Sequence, residues 1–302
     1  MMTESREEIL EDLKTLRDYV RFAVSRFSEA NIYFGHGTSG ALDEAAALVL
    51  FALHLPYDLP GGYFEAVLTR DERRRVFDWI NRRITERKPL AYLTREAPFA
   101  GHNFYVDERV LVPRSPIAEL IEVGFVPWVN PDNIVRILDL CTGSGCIGLS
   151  CALSFPDAEV DLVDISGDAL SVAEINCSKL ELMERVRLIK SDLFEGIKGQ
   201  RYDIIVSNPP YVSQSEWEAL PEEFHAEPRI GLESGVDGLD CVRRILEGAA
   251  DHLNPEGILV VEVGSAAEAL VNAYPHVSFC WLDFERGGDG VFLLTAQQLK
   301  TL

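Results

Sequence analysis

The sequence is poor in the features that direct proteins to membranes or to oxidising compartments. Its 302 residues include only six cysteines and no CxxC pair, which argues against a disulfide framework and a cysteine-based zinc site. No run approaches the roughly 18 apolar residues that span a bilayer. The amino-terminal MMTESREEILEDLK has no basic stretch leading into an apolar core, so we predict no signal peptide. A reducing cytoplasm fits best, with no membrane partner and no bound metal.

Positive charge is also scarce. Lys and Arg number 28 against 49 Asp and Glu, which gives a net charge of -21 and a pI near 4.7. The imbalance is local, because residues 1–100 hold 14 basic and 16 acidic side chains whereas residues 101–302 hold 14 and 33. Direct nucleic-acid binding is not expected, since phosphate binding needs clustered Lys and Arg. A basic protein would be attracted to the acidic region, although such a surface also simply favours solubility.

The chain divides into a helical part and a part in which strands and helices alternate. In the first hundred residues, apolar side chains at three- and four-residue steps predict helices at about 9–27, 43–54 and 69–87. Residues 97–112 alternate around Gly101-His102-Asn103 and predict a β-hairpin linker, and a short helix follows Pro116. The expected organisation is a helical bundle over 1–90, a linker over 91–130 and an α/β domain over 131–302.

Alternation of strand, turn and helix after residue 134 predicts a doubly wound, mostly parallel sheet. Seven strands are expected, at 134–140, 159–164, 186–190, 203–207, 258–263, 277–283 and 291–295. Helices are expected at about 145–154, 168–180 and 239–253. The final two strands flank Arg286-Gly287-Gly288-Asp289-Gly290, a hairpin sequence, so the last strand should run antiparallel.

A glycine-rich loop follows the first strand of this sheet, in the sequence DLCTGSGCIG over residues 139–148. Glycines permit a sharp turn and close ligand approach, and the helix that follows favours an anionic group at its start. Read literally, Gly143, Gly145 and Gly148 form GxGxxG, and Asp164 lies 21 residues after Gly143. That spacing alone also fits a dinucleotide site.

Three strand-end carboxylates favour a different ligand. Asp139 precedes the loop, where it could pair with an ammonium group but would repel a pyrophosphate, and Asp192 could accept a hydrogen bond from an adenine amine. With Asp164 on a ribose, the set suits S-adenosylmethionine, which carries an ammonium, a ribose diol and an adenine. The alternative is that all three are helix caps or solvated turn residues.

The sequence Asn208-Pro209-Pro210-Tyr211 follows the fourth strand and indicates the chemistry. The prolines fix a rigid turn at the edge of the sheet where open α/β folds bind ligands. The side-chain oxygen of Asn208 and the backbone carbonyl of Pro209 could accept both N–H bonds of a planar NH2 group, with Tyr211 packed on its face. Methyl transfer to that nitrogen then needs no histidine base and no metal. The alternative is a proline turn with a buried tyrosine, and Glu262 either lines the same pocket or is a buried, paired carboxylate.

The glycine loop and the Asn-Pro-Pro-Tyr turn, together with FYVDERVLVPRSPIAELI upstream and GGDGVFLLT near the end, resemble the HemK-type protein-glutamine methyltransferases over essentially the whole chain. The resemblance implies an α/β fold of the class I, Rossmann-like S-adenosylmethionine methyltransferases with a seven-stranded sheet. The cofactor positions that it implies are Cys141, Thr142, Gly143, Ser144, Gly145, Asp164, Asp192, Leu193 and Asn208. The implied catalytic positions are Asn208, Pro209, Pro210 and Tyr211.

The details of the resemblance favour one branch of this family. Residues 113–119 read Pro-Arg-Ser-Pro-Ile-Ala-Glu, unlike the Pro-Arg-Pro-Asp/Glu-Thr-Glu run typical of release-factor enzymes. This version and the stretch AVSRFSEANIYFGHGT are similar to the branch that methylates a glutamine of ribosomal protein uL3. Leu193 also stands where release-factor enzymes often carry an aromatic residue, so only apolar contact with adenine is expected there.

We therefore expect an enzyme that methylates a glutamine amide of uL3, with residues 1–90 recognising the substrate and residues 131–302 carrying the cofactor and the chemistry. Release-factor glutamine methylation is the first alternative, because it uses the same site. Adenine methylation of nucleic acid is a second, against which the charge of -21 counts. From another class, a catalytically silent cofactor-binding module could dock on ribosome assembly intermediates.

Overall fold

The computed structural model describes residues 5–302, which form two compact units. The first comprises the described part of Met1–Arg95 together with Pro221–Ala226, and the second comprises Glu96–Leu220 and Glu227–Leu302. Among residues 5–302, no helix has both the length and the apolar character needed to cross a membrane.

The first unit is helical. Its helices are α1 (Arg6–Asp12), α2 (Leu16–Glu29), α3 (Ala41–Ala52), α4 (Arg70–Glu86) and α5 (Leu90–Thr94). The predictions over 43–54 and 69–87 are confirmed by α3 and α4, and the capping box of Thr69 and Glu72 starts α4. The single helix predicted over 9–27 is wrong, because the backbone is extended at Leu13 and a second capping box, of Thr15 and Asp18, starts α2.

A buried cluster of charged residues links the elements of this unit. Arg83 of α4 is fully buried, and its Nε donates to Glu44 of α3 at 2.6 Å. Its Nη2 donates to the carbonyl of Tyr33 at 3.2 Å, and Nη1 lies 3.8 Å from Glu223. Arg87 also pairs with Glu223, at 2.8 Å. The segment Pro221–Ala226 is therefore tied to this unit by charge, although it comes from the distant part of the sequence.

The second unit contains a seven-stranded sheet, which confirms the predicted fold class. In chain order its strands are β3 (Arg136–Leu140), β4 (Glu159–Asp164), β5 (Val186–Lys190), β6 (Tyr202–Ser207), β7 (Leu253–Glu262), β8 (Cys280–Trp281) and β9 (Val291–Thr295). They are arranged in the order β5-β4-β3-β6-β7-β9-β8. The first five are parallel, whereas β9 runs antiparallel to both β7 and β8, as the hairpin sequence predicts. The strand predicted over 277–283 is reduced to two paired residues.

Helices cover both faces of this sheet and bury two separate apolar cores. The helices of this unit are α6 (Ile117–Glu122), α7 (Cys146–Ser154), α8 (Gly167–Lys179), α9 (Gln214–Ala219), α10 (Asp240–His252), α11 (Ala267–Ala273) and α12 (Ala296–Leu299), of which all but α9 contribute to the cores. Side chains of α7 and α8 pack in one core, and those of α10 and α12 pack in the other. The hairpin predicted around Gly101-His102-Asn103 is confirmed by β1 (Glu96–Phe99) and β2 (His102–Tyr105), although the second strand ends at Tyr105 and does not continue to residue 112.

Candidate active site

The chemistry-bearing residues lie at the carboxyl edge of the sheet. From the central strand β3, the chain builds β4 and β5 on one side and β6 and β7 on the other. Such a reversal of strand order opens a crevice at the carboxyl ends of the strands, where open α/β folds bind their ligands. The loops after β3, β4, β5 and β6 supply the predicted cofactor and substrate residues to this edge.

The glycine loop makes a tight turn between β3 and α7. Cys141, Gly143 and Gly145 all have positive φ, at 59°, 55° and 80°, and Gly145 is the N-cap of α7. The third glycine of the literal GxGxxG serves packing, because a Cβ on Gly148 would come within 2.2 Å of Leu162. Gly143 and Gly145 are therefore needed for the backbone conformation of the loop, and Gly148 is needed for close contact between the helix and the sheet.

Asp139 is hydrogen-bonded to residues of the glycine-rich segment that it begins. It is 1% exposed, and its Oδ2 accepts hydrogen bonds from the hydroxyl of Thr142 at 2.6 Å and the backbone N–H of Gly148 at 2.9 Å. Desolvation raises the pKa of Asp139 to about 7. Within residues 5–302 no group donates to its buried Oδ1. That unpaired acceptor is unusual for a buried carboxylate and leaves room for one more donor.

The two other carboxylates have different environments. Asp164 ends β4 and accepts from the backbone N–H groups of Gly143, at 2.9 Å, and Ser166, at 2.8 Å, while burial raises its pKa. Asp192 follows β5 and forms an ion pair with Arg244 of α10, at 2.9 Å. Asp164 thus holds the glycine loop against the end of β4. The ion pair of Asp192 with Arg244 was not indicated by the sequence.

A cavity of about 340 Å³ opens along this edge, within the range of small-molecule sites. The predicted residues that line it are Cys141, Gly143, Asp164, Asp192, Leu193, Asn208 and Pro210. The other predicted residues do not line it; they are Asp139, Thr142, Ser144, Gly145, Pro209 and Tyr211. Sequence reasoning missed the loop over 228–235, Arg109, and Cys241, whose Sγ lies 3.8 Å from that of Cys141.

Asn208 is the polar group of the Asn-Pro-Pro-Tyr turn that reaches the cavity. It follows β6, whose last residue, Ser207, donates through its hydroxyl to the carbonyl of Leu140 in β3 at 2.8 Å. Oδ1 of Asn208 is buried and accepts no hydrogen bond from any residue in the described range. An unpaired buried acceptor beside a cavity is the arrangement that an incoming N–H donor requires.

Tyr211 is hydrogen-bonded to Glu262, the last residue of β7. Its hydroxyl donates to Oε1 of Glu262 at 3.2 Å, and its ring covers Gly264, where a Cβ would come within 2.6 Å. Ser115 donates to the other carboxylate oxygen, Oε2, at 2.5 Å. Glu262 was expected either to line the pocket or to be a buried, paired carboxylate, and the structure supports the second interpretation.

The segment that carries Ser115 is itself anchored. The guanidinium of Arg114 donates to both carboxylate oxygens of Glu227, with N–O distances of 2.6 and 2.8 Å. The backbone N–H of Val112 donates to the same carboxylate at 2.9 Å. Sequence reasoning missed Glu227, because a pairing of residues 113 positions apart leaves no local pattern. The only sign in the sequence that this segment matters was an arginine close to two prolines.

Comparisons with known proteins find methyltransferases among the relatives of this chain. A methyltransferase small domain family model matches residues 128–235. The chain is 47% identical over 297 residues to a ribosomal protein uL3 glutamine methyltransferase from Francisella tularensis subsp. tularensis, covering 98% of this chain and 95% of that protein. It is 53% identical over 291 residues to a protein of the same description from Neisseria meningitidis serogroup A, covering 96% and 95%. A solved methyltransferase structure from Pyrococcus furiosus is similar at a TM-score of 0.46 and 20% identity, over 64% of this chain and 88% of that one.

Proposed function

Since the chain belongs to the ribosomal protein uL3 glutamine methyltransferase family, we propose that it transfers a methyl group from S-adenosylmethionine to the side-chain amide nitrogen of a glutamine in uL3. The observation that carries this proposal is the buried, unpaired Oδ1 of Asn208 at the cavity. The proposal puts the reaction in the cytoplasm, the compartment of ribosomal protein synthesis. The net charge of -19 over residues 101–302 would attract a basic ribosomal protein.

The residues that line the cavity, together with Asp139 at the start of the glycine-rich segment, fit the three polar parts of S-adenosylmethionine. Oδ1 of Asp139 is a buried acceptor that is free to take a hydrogen bond, in the chemistry that an ammonium group requires. The oxygens of Asp164 accept the backbone N–H groups of Gly143 and Ser166, and a carboxylate with about four acceptor sites keeps room for a ribose hydroxyl. Leu193 offers an apolar surface, and Asp192 an acceptor, for the adenine. When bound, the cofactor supplies a methyl group on a positively charged sulfur.

The protein's part in the reaction is to hold the amide. A glutamine NH2 has two N–H bonds, and Oδ1 of Asn208 accepts one of them while the backbone carbonyl of Pro209 accepts the other. With both N–H bonds fixed, the face of the nitrogen is aimed at the methyl donor. The nitrogen gains the methyl group as the carbon–sulfur bond breaks, and it then loses one of its two protons to solvent. The rigid proline turn holds these acceptors without reorganisation, and well-oriented reactants can recover roughly 7–11 kcal/mol of the barrier.

Mass spectrometry of uL3 tests the proposed function. Incubation of purified uL3 with the enzyme and S-adenosylmethionine should add one methyl group, and fragmentation should locate it on a glutamine. A release factor incubated in parallel should stay unmodified, because the family match is to uL3 enzymes. Methylation of the release factor alone, or of neither protein, would contradict the proposal.

Calorimetry tests the cofactor. We expect S-adenosylhomocysteine to bind and NAD to give no heat. Asp164→Ala should weaken that binding by about 10–100-fold, because hydrogen bonds to a charged group contribute roughly 1.5–3 kcal/mol. Asp203→Ala is the matched control, since Asp203 bonds the backbone of Val135 and Arg136 at the opposite edge of the sheet. Binding of NAD with no binding of S-adenosylhomocysteine would overturn the cofactor assignment.

A further inference from the structure

Two cysteines from different elements meet at the cavity. Cys141 follows β3 at the start of the glycine loop, and Cys241 lies in the first turn of α10. Their Sγ atoms are 3.8 Å apart, both side chains are half-buried, and both line the cavity. The proposed reaction uses neither sulfur. Two free thiols this close together can be joined by oxidation after a small movement.

The two sulfurs differ in their tendency to ionise. The pKa of Cys241 is lowered, first by a hydrogen bond from the thiol of Cys141 and further by the charge of Arg244, although burial opposes this. The same hydrogen bond and burial raise the pKa of Cys141. Cys141 therefore keeps its proton, and Cys241 is the sulfur that ionises first. The thiolate is the form of cysteine that attacks a peroxide.

The other four cysteines do not share this environment. Burial raises the pKa of Cys146 to about 12 and that of Cys177 to about 11, and it holds the pKa of Cys151 well above its ordinary value. Buried thiols of this kind are inert, so oxidation should be selective for the pair at the cavity. Cys280 is half-buried like the pair, but it lies on the edge strand β8 and does not line the cavity.

A bond between the two sulfurs would act on both sides of the proposed cofactor site. The loop that begins at Cys141 binds Asp164 through the backbone N–H of its first glycine, at 2.9 Å. Arg244, three residues after Cys241 and on the same face of α10, pairs with Asp192 at 2.9 Å. A disulfide would shorten the distance between the sulfurs from 3.8 Å to about 2 Å. Closing that gap draws the loop and α10 together and shifts the groups that hold the two carboxylates.

We propose that Cys141 and Cys241 form a reversible disulfide when a small peroxide enters the cavity, and that this bond weakens the binding of S-adenosylmethionine. The pair is then a modification site that makes cofactor binding depend on oxidant. The effect on the cofactor rests on the proposed function, because it takes this cavity as the cofactor site. Formation of the bond itself does not depend on that assignment.

The oxidation consumes one peroxide and yields two waters. The thiolate of Cys241 attacks one oxygen of hydrogen peroxide, and the O–O bond breaks. Cys241 becomes a sulfenic acid, and the hydroxide that leaves takes up a proton from solvent. The sulfur of Cys141 then attacks that of Cys241, the S–O bond breaks, and the thiol proton of Cys141 leaves with the hydroxide as water. Each sulfur loses one electron to the peroxide, and small thiols reverse the bond by exchange.

Mass spectrometry of the full chain under non-reducing conditions tests the bond. A few equivalents of hydrogen peroxide should join the tryptic peptide 137–179, which contains Cys141, to the peptide 230–243, which contains Cys241. Dithiothreitol should separate them. Fragmentation should place the bond at Cys141 rather than at the three buried cysteines of the same peptide. The joined peptides should be absent in Cys241→Ser and present in the matched control Cys280→Ser. Their absence in the unmodified protein would overturn the proposal.

Calorimetry on the same samples tests the effect on the cofactor. The oxidised protein should bind S-adenosylhomocysteine about 10-fold more weakly or worse, since disturbing a hydrogen bond to a charged group typically costs that much. Dithiothreitol should restore the affinity. Cys241→Ser is compared with itself before and after peroxide, and its affinity should not change, which also controls for oxidation elsewhere in the chain. A bridged protein with unchanged affinity would overturn the proposal.

The two measurements separate this inference from the proposed function. If the reduced protein binds no S-adenosylhomocysteine, the cofactor assignment and the effect on the cofactor fail together, while the joined peptides still decide whether the cysteines bond. If the reduced protein binds it and methylates uL3 but no bond forms, the inference fails and the proposed function stands. Saturating S-adenosylhomocysteine should also slow the joining of the peptides, because binding and oxidation oppose each other reciprocally. An equal rate with and without it would contradict the proposed coupling.

Discussion

Replacing Asn208 with alanine is expected to lower kcat for uL3 methylation about 10²–10³-fold, the usual effect of losing one preorganised hydrogen-bond partner at a reacting centre. Oδ1 of Asn208 has no donor within the described chain, so it is free to hold the substrate amide. The affinity for S-adenosylhomocysteine should fall much less, because the cavity keeps Asp164 and Leu193. Single-turnover kinetics and calorimetry measure the two quantities separately.

Asn254→Ala is the matched control for this prediction. Asn254 lies near the start of β7, at the opposite edge of the sheet, where its Nδ2 donates to Asp203 at 2.7 Å. The control loses an asparagine hydrogen bond without touching the cavity, so its kcat should stay close to that of the unmodified enzyme. If Asn208→Ala also turned over at the unmodified rate, Asn208 would be a structural turn residue and the amide-holding mechanism would be wrong.

Local patterns in the sequence predict most of the secondary structure, and their failures have physical reasons. Apolar periodicity continues through Leu13, so it does not reveal that the backbone there is extended. The capping pair of Thr15 and Asp18 was the signal that a new helix begins. The strand predicted over 277–283 pairs at only two residues, in the edge strand β8, and no local pattern marks where that pairing begins or ends.

The candidate site was predictable wherever residues follow strands. Parallel strands end at the same edge, so Asp139, Asp164, Asp192 and Asn208 could be grouped before their positions were known. The hydrogen-bond and ion-pair partners of the site residues were not predictable. The partners that fix the site are distant in sequence, such as Ser115 with Glu262, 147 residues apart. Pairing at such separations depends on the packed fold and leaves no spacing rule to find.

The largest expected effect on stability lies in the first unit, at Arg83. Arg83→Met should destabilise that unit by about 3–5 kcal/mol, because removing one partner of a buried ion pair leaves an uncompensated charge. Glu44, which is 2% exposed, would lose the guanidinium that donates to it at 2.6 Å. Hydrogen exchange measured region by region should show faster exchange in α3 and α4, while the sheet of the second unit keeps its protection.

Arg82→Met is the control on the same helix. Arg82 pairs with Glu86 at 2.9 Å, but its side chain is 47% exposed, and exposed pairs usually contribute less than about 1 kcal/mol. Hydrogen exchange in Arg82→Met should therefore match that of the unmodified protein. Equal protection in Arg83→Met would contradict the prediction that the buried cluster of Arg83, Glu44 and Glu223 stabilises the unit.

The same variant tests the division of labour between the two units. We propose that the first unit recognises uL3, as the domain organisation inferred from sequence suggests, while the second binds the cofactor and performs the chemistry. Arg83→Met should then lose most methylation of intact uL3 at temperatures where the first unit is unfolded. Calorimetry should still detect S-adenosylhomocysteine binding, because every cavity residue belongs to the second unit.

Substitution has an advantage over deletion of the amino-terminal helices, because deletion would remove both arginine partners of Glu223. Normal methylation of intact uL3 by a variant with an unfolded first unit would assign recognition to the second unit instead.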